Sequence, residues 1–194
     1  ADLNDPVNAE AVYRAIRSDG HVITMLVNNA GTGIYSPFAE SDLQAELRMI
    51  QLNIASLVTL TKLVLPDMLA CGRGRIMNLA SLVSFFPYPN WSVYAATKAF
   101  VLSFTEALRA EVSDRGISVT ALCPGPIATG FMTPEMASSN AYRMDSPMSP
   151  EQVAKRGVRA LLYNEGTVVV GVRNKLLAGL TRFTPRALML RIMK

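Results

Sequence analysis

Cysteine is scarce: Cys71 and Cys123 are the only two in 194 residues. They cannot form a disulfide framework, they suit a reducing compartment, and both read as small buried apolar residues. Charge is scarce as well, with 18% charged residues against 50% hydrophobic ones. That balance excludes disorder and suits a domain with a sizeable core. No run of about 18 uncharged apolar residues occurs, so no transmembrane helix is expected. Acidic residues are missing altogether from Val172 to Lys194, where Arg173, Lys175, Arg182, Arg186, Arg191 and Lys194 stand. The net charge of +4 is therefore uneven, because the remaining 13 basic residues face 15 acidic ones. A basic terminal segment without a recognition motif is not a nucleic-acid profile, and no nucleic-acid partner is expected.

What is present centres on Ser81 to Lys98. Tyr94 and Lys98 are four positions apart, which on a helix places them on one face, one turn apart. An ammonium beside a phenol favours the phenolate and lowers the tyrosine pKa from about 10, which suits proton transfer near neutral pH. Ser81 lies 13 positions before Tyr94, at the end of the apolar run Arg75 to Ala80. A strand ending there presents a hydroxyl at the carboxyl edge of a sheet, where open α/β sheets bind ligands. Tyr-x-x-x-Lys alone equally suits a solvated helix face; the serine and three further elements decide against that. Asn28-Asn29-Ala30-Gly31 follows the apolar run Val22 to Val27, Asn53 lies mid-helix, and Pro124-Gly125-Pro126-Ile127-Ala128-Thr129 follows Ile117 to Cys123. In this order and spacing the elements resemble the short-chain dehydrogenase/reductase family, over nearly the whole chain.

The resemblance implies a Rossmann-like, doubly wound parallel α/β sheet and a single, partial domain over residues 1–194, with a basic tail at 171–194. Members of the family open with a strand, a T-G-x-x-x-G-x-G turn and a helix, then a second strand and helix, then a third strand ending in an acidic-Leu pair. Ala1-Asp2-Leu3 resembles that strand end, so the first three strands and the pyrophosphate-binding turn are expected to be absent from this chain. Gly31-Thr32-Gly33 is not a substitute for that turn. The implied function is oxidoreduction with NAD or NADP, interconverting a ketone or aldehyde and an alcohol. The alternative is a catalytically incompetent fragment of such an enzyme. By resemblance Tyr94 handles the proton, Lys98 holds down the Tyr94 pKa and binds the nicotinamide ribose, Ser81 binds the carbonyl oxygen, and Asn53 supports a water relay. Asp2, Asn28, Ala30 and Gly31 match positions on the adenosine side, and Pro124, Gly125, Ile127 and Thr129 match positions at the carboxamide. No metal site is assigned. The helix at 92–115 matches the family's dimer interface, so a homo-oligomer is expected. The apolar stretches 82–91 and 129–148 favour a hydrophobic carbonyl or alcohol substrate, and the pattern is also similar to the long-chain 3-oxoacyl and hydroxysteroid reductase branch.

Read in order, strands are predicted near 22–28, 75–80, 117–123 and 167–171, in parallel. Val22, Ile23, Leu26 and Val27 would then form a bare apolar edge. Asp5-Pro6 caps a helix whose Val7, Ala11, Ala15 and Ile16 share a face. Ser41-x-x-Gln44 reads as a capping box before a helix with the buried stripe Leu43, Leu47, Ile50, Ile54, Leu57 and Val58, disturbed at Pro66 and ended by Gly72. The apolar, aromatic stretch 82–91 is expected to wall a substrate pocket. Ser84, wrongly spaced from Tyr94, is given no role, and Asn90-Trp91-Ser92 is a chance glycosylation match. Thr129 to Met148 matches the family's substrate lid, with Phe131, Met132, Met136, Tyr142, Met144 and Met148. Ser149-Pro150-Glu151-Gln152 opens a further helix. The tail carries two readings, broken in both by Pro185: a basic amphipathic segment on an anionic membrane, or a helix covering the pocket or a subunit interface. The expected setting is cytoplasmic, with membrane association following only from the first of these.

Overall fold

In a computed structural model, which describes residues 1–131, 133–137 and 147–192, four parallel strands form one sheet in the order β1-β2-β3-β4. They are β1 (Met25–Asn28), β2 (Gly74–Leu79), β3 (Ile117–Cys123) and β4 (Thr167–Val169). All four fall where the apolar runs predicted them, with β1 and β4 shorter. β3 is buried at every residue, as expected of a parallel strand covered on both faces. Around the sheet run α1 (Pro6–Ser18), α2 (Leu43–Ile50), α3 (Leu57–Ala70), α4 (Ser92–Val112), α5 (Pro134–Ala137), α6 (Pro150–Leu162), α7 (Val172–Leu180) and α8 (Arg186–Ile192). On one sheet face Ile76 and Val119 pack with Val64 and Met68 of α3 and Leu108 of α4. On the other, Met77 and Leu122 pack with Val153 and Leu161 of α6.

Local signals account for the helix starts. Asp5 accepts from the Val7 N–H, with Pro6 in the first turn, and Ser149 and Gln152 form the reciprocal capping box before α6. The cap of α2, however, is Asp42, which accepts from the Gln44 and Ala45 N–H groups, and not Ser41. Pro66 lies inside α3 without ending it, and Gly72, at φ +62, follows the helix as expected. The break in register comes earlier, where Gln51–Ser56 forms a π turn between α2 and α3.

That turn also corrects the predicted stripe. Leu43, Leu47 and Ile50 are exposed, while Met49, Asn53, Ser56, Leu57, Thr61, Val64 and Met68 face inward. Polar residues take core positions here because the fold supplies their partners, which periodicity of apolar residues does not reveal. In α1 likewise Val7, Ala11 and Ala15 are exposed and Ala9 is buried. By length and composition the helical stretch Leu43–Ala70, 28 residues whose most apolar 18-residue window has a mean hydropathy of 1.4, is long and apolar enough to cross a membrane, contrary to expectation. In the structure its apolar residues Val64 and Met68 lie in the core. Cys123 is buried as expected, but Cys71, just after α3, is exposed.

At the β1 edge Ile23 and Leu26 pack on the core, but Val22, Met25 and Val27 are exposed. An open apolar edge of this kind templates association. Replacing Met25 and Val27 by lysine is expected to shift the chain toward lighter species in sedimentation velocity. A sedimentation profile unchanged by both substitutions would refute the β1 edge as the site of association.

Candidate active site

The end of β2 and the start of α4 hold the centre of the site. Ser81 follows β2 with extended backbone and caps a short 3-10 turn at Leu82–Phe85. Its Oγ accepts from the Val83 N–H at 3.3 Å. Ser84 Oγ accepts from the Ser81 N–H at 3.1 Å and donates to the Lys98 carbonyl at 2.8 Å. Ser84, dismissed on spacing, is thus the strut between the serine and the lysine. Helix α4 begins at Ser92 and places Tyr94 and Lys98 one turn apart, both buried. Lys98 Nζ donates to the Leu79 carbonyl at 2.8 Å and lies 5.9 Å from the Tyr94 ring centroid.

Asn53, at the π turn, adds the third wall. Its side chain pairs with both backbone groups of Thr32, accepting from the N–H at 3.0 Å and donating to the carbonyl at 2.9 Å. It also donates to Thr97 Oγ1 at 3.1 Å, whose hydroxyl donates to the Tyr94 carbonyl at 2.8 Å. This clamp draws Gly31 inward: a Cβ there would stand 3.1 Å from Asn53 Oδ1 and 3.5 Å from Lys98 Nζ. A second amide chain stabilises the sheet beneath. Asn28 Nδ2 donates to Asn78 Oδ1 at 2.8 Å and Thr61 Oγ1 at 3.1 Å, and Asn78 Nδ2 donates to Thr105 Oγ1 at 2.9 Å.

Burial governs the electrostatics. Desolvation pushes the Tyr94 pKa up to about 12, with the Ser81 side-chain hydrogen bond acting in the opposite direction. Desolvation also pulls Lys98 down to about 8, opposed by the Cys123 sulfur. The expectation that Lys98 holds the tyrosine pKa below 10 is therefore overturned in this structure. The ammonium is turned onto a backbone carbonyl, and the phenol lies in an apolar cluster with Trp91, Tyr88, Phe86 and Leu82. Trp91 meets Tyr94 edge-on at 4.6 Å, and Phe131 lies 5.8 Å away. The stretch 82–91 is accordingly core around the tyrosine ring rather than the lining of an open pocket.

Ser81, Tyr94, Lys98, Asn53 and Gly31 are thus brought together. Pro124 joins them through its carbonyl, which accepts from the Leu82 N–H at 2.8 Å. Gly125 lies against Asn174, whose Nδ2 would be 2.5 Å from a Cβ there and donates to the Val170 carbonyl. Ile127 bridges to Met148. Thr129 and Asp2 are exposed at the periphery, and the Asp2 side chain is engaged by Asn4, which lowers its pKa. A small, open cleft lined by polar Asn28, Asn29 and Ser56 and by apolar Leu3, Val27, Ala30, Leu52, Leu57 and Leu60 lies on the predicted adenosine side. Asn28 and Ala30 of the predicted adenosine set line it, and Gly31, next in the chain, runs beside Lys98. Of the predicted lid, Met132, Tyr142 and Met144 lie outside the described residues. Thr97, Asn78, Thr105 and Asn174 were missed; the one signal for Asn78 was a polar residue inside an apolar strand.

A family model described as short chain dehydrogenase matches residues 1–140. The chain is 44% identical over 160 residues to a "Probable NADP-dependent dehydrogenase" of Haemophilus influenzae, covering 79% of this chain and 64% of that protein. It is 34% identical over 160 residues to "Ketoacyl reductase HetN" of Nostoc sp., covering 82% of this chain and 55% of that one. The chain therefore spans less than two thirds of the length of these relatives. A short-chain dehydrogenase from Sphingobium yanoikuyae, solved in complex with NADPH, superposes with a TM-score of 0.79 at 30% identity, covering 97% of this chain and 73% of that one.

Lys98 is held at a cost to folding. Its pKa is depressed below the ordinary 10.5, so the unfolded chain binds the proton more tightly. The cost is fully present below about pH 8 and fades as pH rises toward 10.5. Lys98→Met is expected to stabilise the chain at pH 7 by about 2 kcal/mol, from about 3 for the relieved desolvation less about 1 for the lost bond to Leu79. Denaturant melts at about pH 7 and about pH 9.5 check this; a gain that does not shrink at the higher pH refutes it.

Proposed function

The chain belongs to the short-chain dehydrogenase family, and on that footing we propose that it carries the proton-transfer and carbonyl-binding residues of an NAD- or NADP-dependent reductase acting on a hydrophobic ketone or aldehyde. The observation that carries the reading is the convergence of Ser81, Tyr94 and Lys98, with Asn53 holding Gly31 against the lysine. The relatives' names, a dehydrogenase using NADP and a ketoacyl reductase, support the same chemistry. The apolar residues of the predicted lid, Phe131, Met136 and Met148 among them, support an apolar substrate.

Asn28 to Gly31 and the cleft beside them would hold the adenosine half, Lys98 and Gly31 the nicotinamide ribose, and the Pro124 to Thr129 turn the carboxamide. A reduced nicotinamide held there would be the hydride source for the carbonyl carbon. Ser81 Oγ donates a hydrogen bond to the carbonyl oxygen and stabilises the charge that develops on it. Tyr94, raised to about 12 and so protonated at neutral pH, gives its proton to that oxygen. The phenolate left behind is stabilised by the Lys98 ammonium, whose charge counts for more in a water-poor site. Asn53 supports the return of the proton. Exposed apolar residues on α2 and α4 support a homo-oligomer along the 92–115 helix, separable from β1 association by the lysine substitutions described above.

The competing reading is an incompetent fragment, supported by the absence of any T-G-x-x-x-G-x-G turn from the 194 residues. Titration with NADH and NADPH, followed by nicotinamide fluorescence, separates the two. Saturable binding by this chain supports the reductase, whereas no binding supports the fragment. In a chain that turns over, Tyr94→Phe is expected to lower kcat by at least about a hundredfold with the melting temperature maintained. Retention of most activity would remove Tyr94 from the proton-transfer role.

A further inference from the structure

We propose that the outer face of α7 and the turn after it dock on an anionic membrane surface. The tail is two-faced. Inward, Asn174 and Ala178 are buried, and Ala178 joins Met189 of α8 in the cluster around Tyr94 and Trp91. Outward, Val172, Leu176 and Leu180 are 75%, 64% and 59% exposed, and Phe183 in the following turn is 87% exposed. Spacings of four, four and three place these on one side of a helical path. An amphipathic helix needs one apolar face to cover a core; α7 has a second.

The charge says what covers it. Arg173, Arg182, Arg186 and Arg191 of the same terminal segment are exposed, and among the described residues none of them is in an ion pair. No acidic residue occurs from Val172 to Lys194. A second copy meeting this face about a two-fold axis would oppose the same cations to one another, which is unfavourable. An anionic lipid surface satisfies both features, taking the apolar side chains into its interfacial region and the arginines among its headgroups. The face also lies at the β4 end of the sheet, away from the open β1 edge. Docking there would set the helix that closes the Tyr94 cluster against the bilayer.

The test is co-sedimentation of the full chain with phosphatidylcholine vesicles, with and without phosphatidylglycerol. Pelleting only with the anionic vesicles, and release by salt, are expected. Phe183→Ser, at a site too exposed to disturb the core, is expected to weaken binding at least about tenfold. Arg182→Gln with Arg186→Gln is expected to weaken it about thirtyfold. Unchanged melting temperatures show that the fold is kept. The proposal is overturned by an absence of pelleting, by equal pelleting with neutral vesicles, by wild-type binding of Phe183→Ser, or by a dimer that Phe183→Ser splits without any vesicle binding. Docking is read without turnover, so its failure is distinct from failure of the proposed reductase.

Discussion

Keeping a lysine ammonium inside an apolar interior is the constraint on which the rest of the site depends. Desolvation disfavours the charge, and only close, fixed acceptors can offset it. The Leu79 carbonyl at the end of β2 does so, which ties the side chain of α4 to the sheet's carboxyl edge. The backbone of the same lysine is held by Ser84, which also holds Ser81. One buried cation therefore sets the distance between strand end and helix start, and with it the separation of serine, tyrosine and lysine. The phenol and the ammonium are each shifted toward their neutral forms because their common surroundings are dry. Among the described residues no carboxylate pairs with Lys98, and that dryness outweighs the benefit of a cation near a phenol.

Buried amides extend the same logic. Asn53 uses donor and acceptor together on Thr32, which forces the loop after β1 to pass beside Lys98. Asn28, Asn78 and Thr105 link two strands to α4 through side chains alone. Satisfied networks of this kind rigidify a core, whereas a partly satisfied one would be costly. The π turn at Gln51–Ser56 fits this scheme, since it interrupts the helical ladder where Asn53 and Ser56 must reach the loop and Leu3.

The aromatic cluster joins chemistry to surface. Tyr94 is packed by Trp91 on one side and Phe131 on another, and α7 and α8 close the cluster with Ala178 and Met189. The Tyr94 phenol thus lies in the cluster that the tail's inner face closes, and whatever the outer face meets lies close to it.

The sequence by itself determined the strands, most helix starts and the identity of the central residues, because each leaves a local mark. A parallel strand is an apolar run, a capped helix begins with Asp or Ser, and Tyr94 and Lys98 need only helical spacing to share a face. Tertiary structure decided what depends on partners distant in the chain. Which side of α1 and α2 is buried follows from packing against distant elements, and the inward placement of Ser56 and Thr61, the strut role of Ser84 and the core position of Asn78 follow from hydrogen bonds to residues 14 to 53 positions away. The direction of the Tyr94 pKa was decided there too. Four-residue spacing brings an ammonium near the ring, but only the packed interior shows that desolvation, and not that ammonium, dominates.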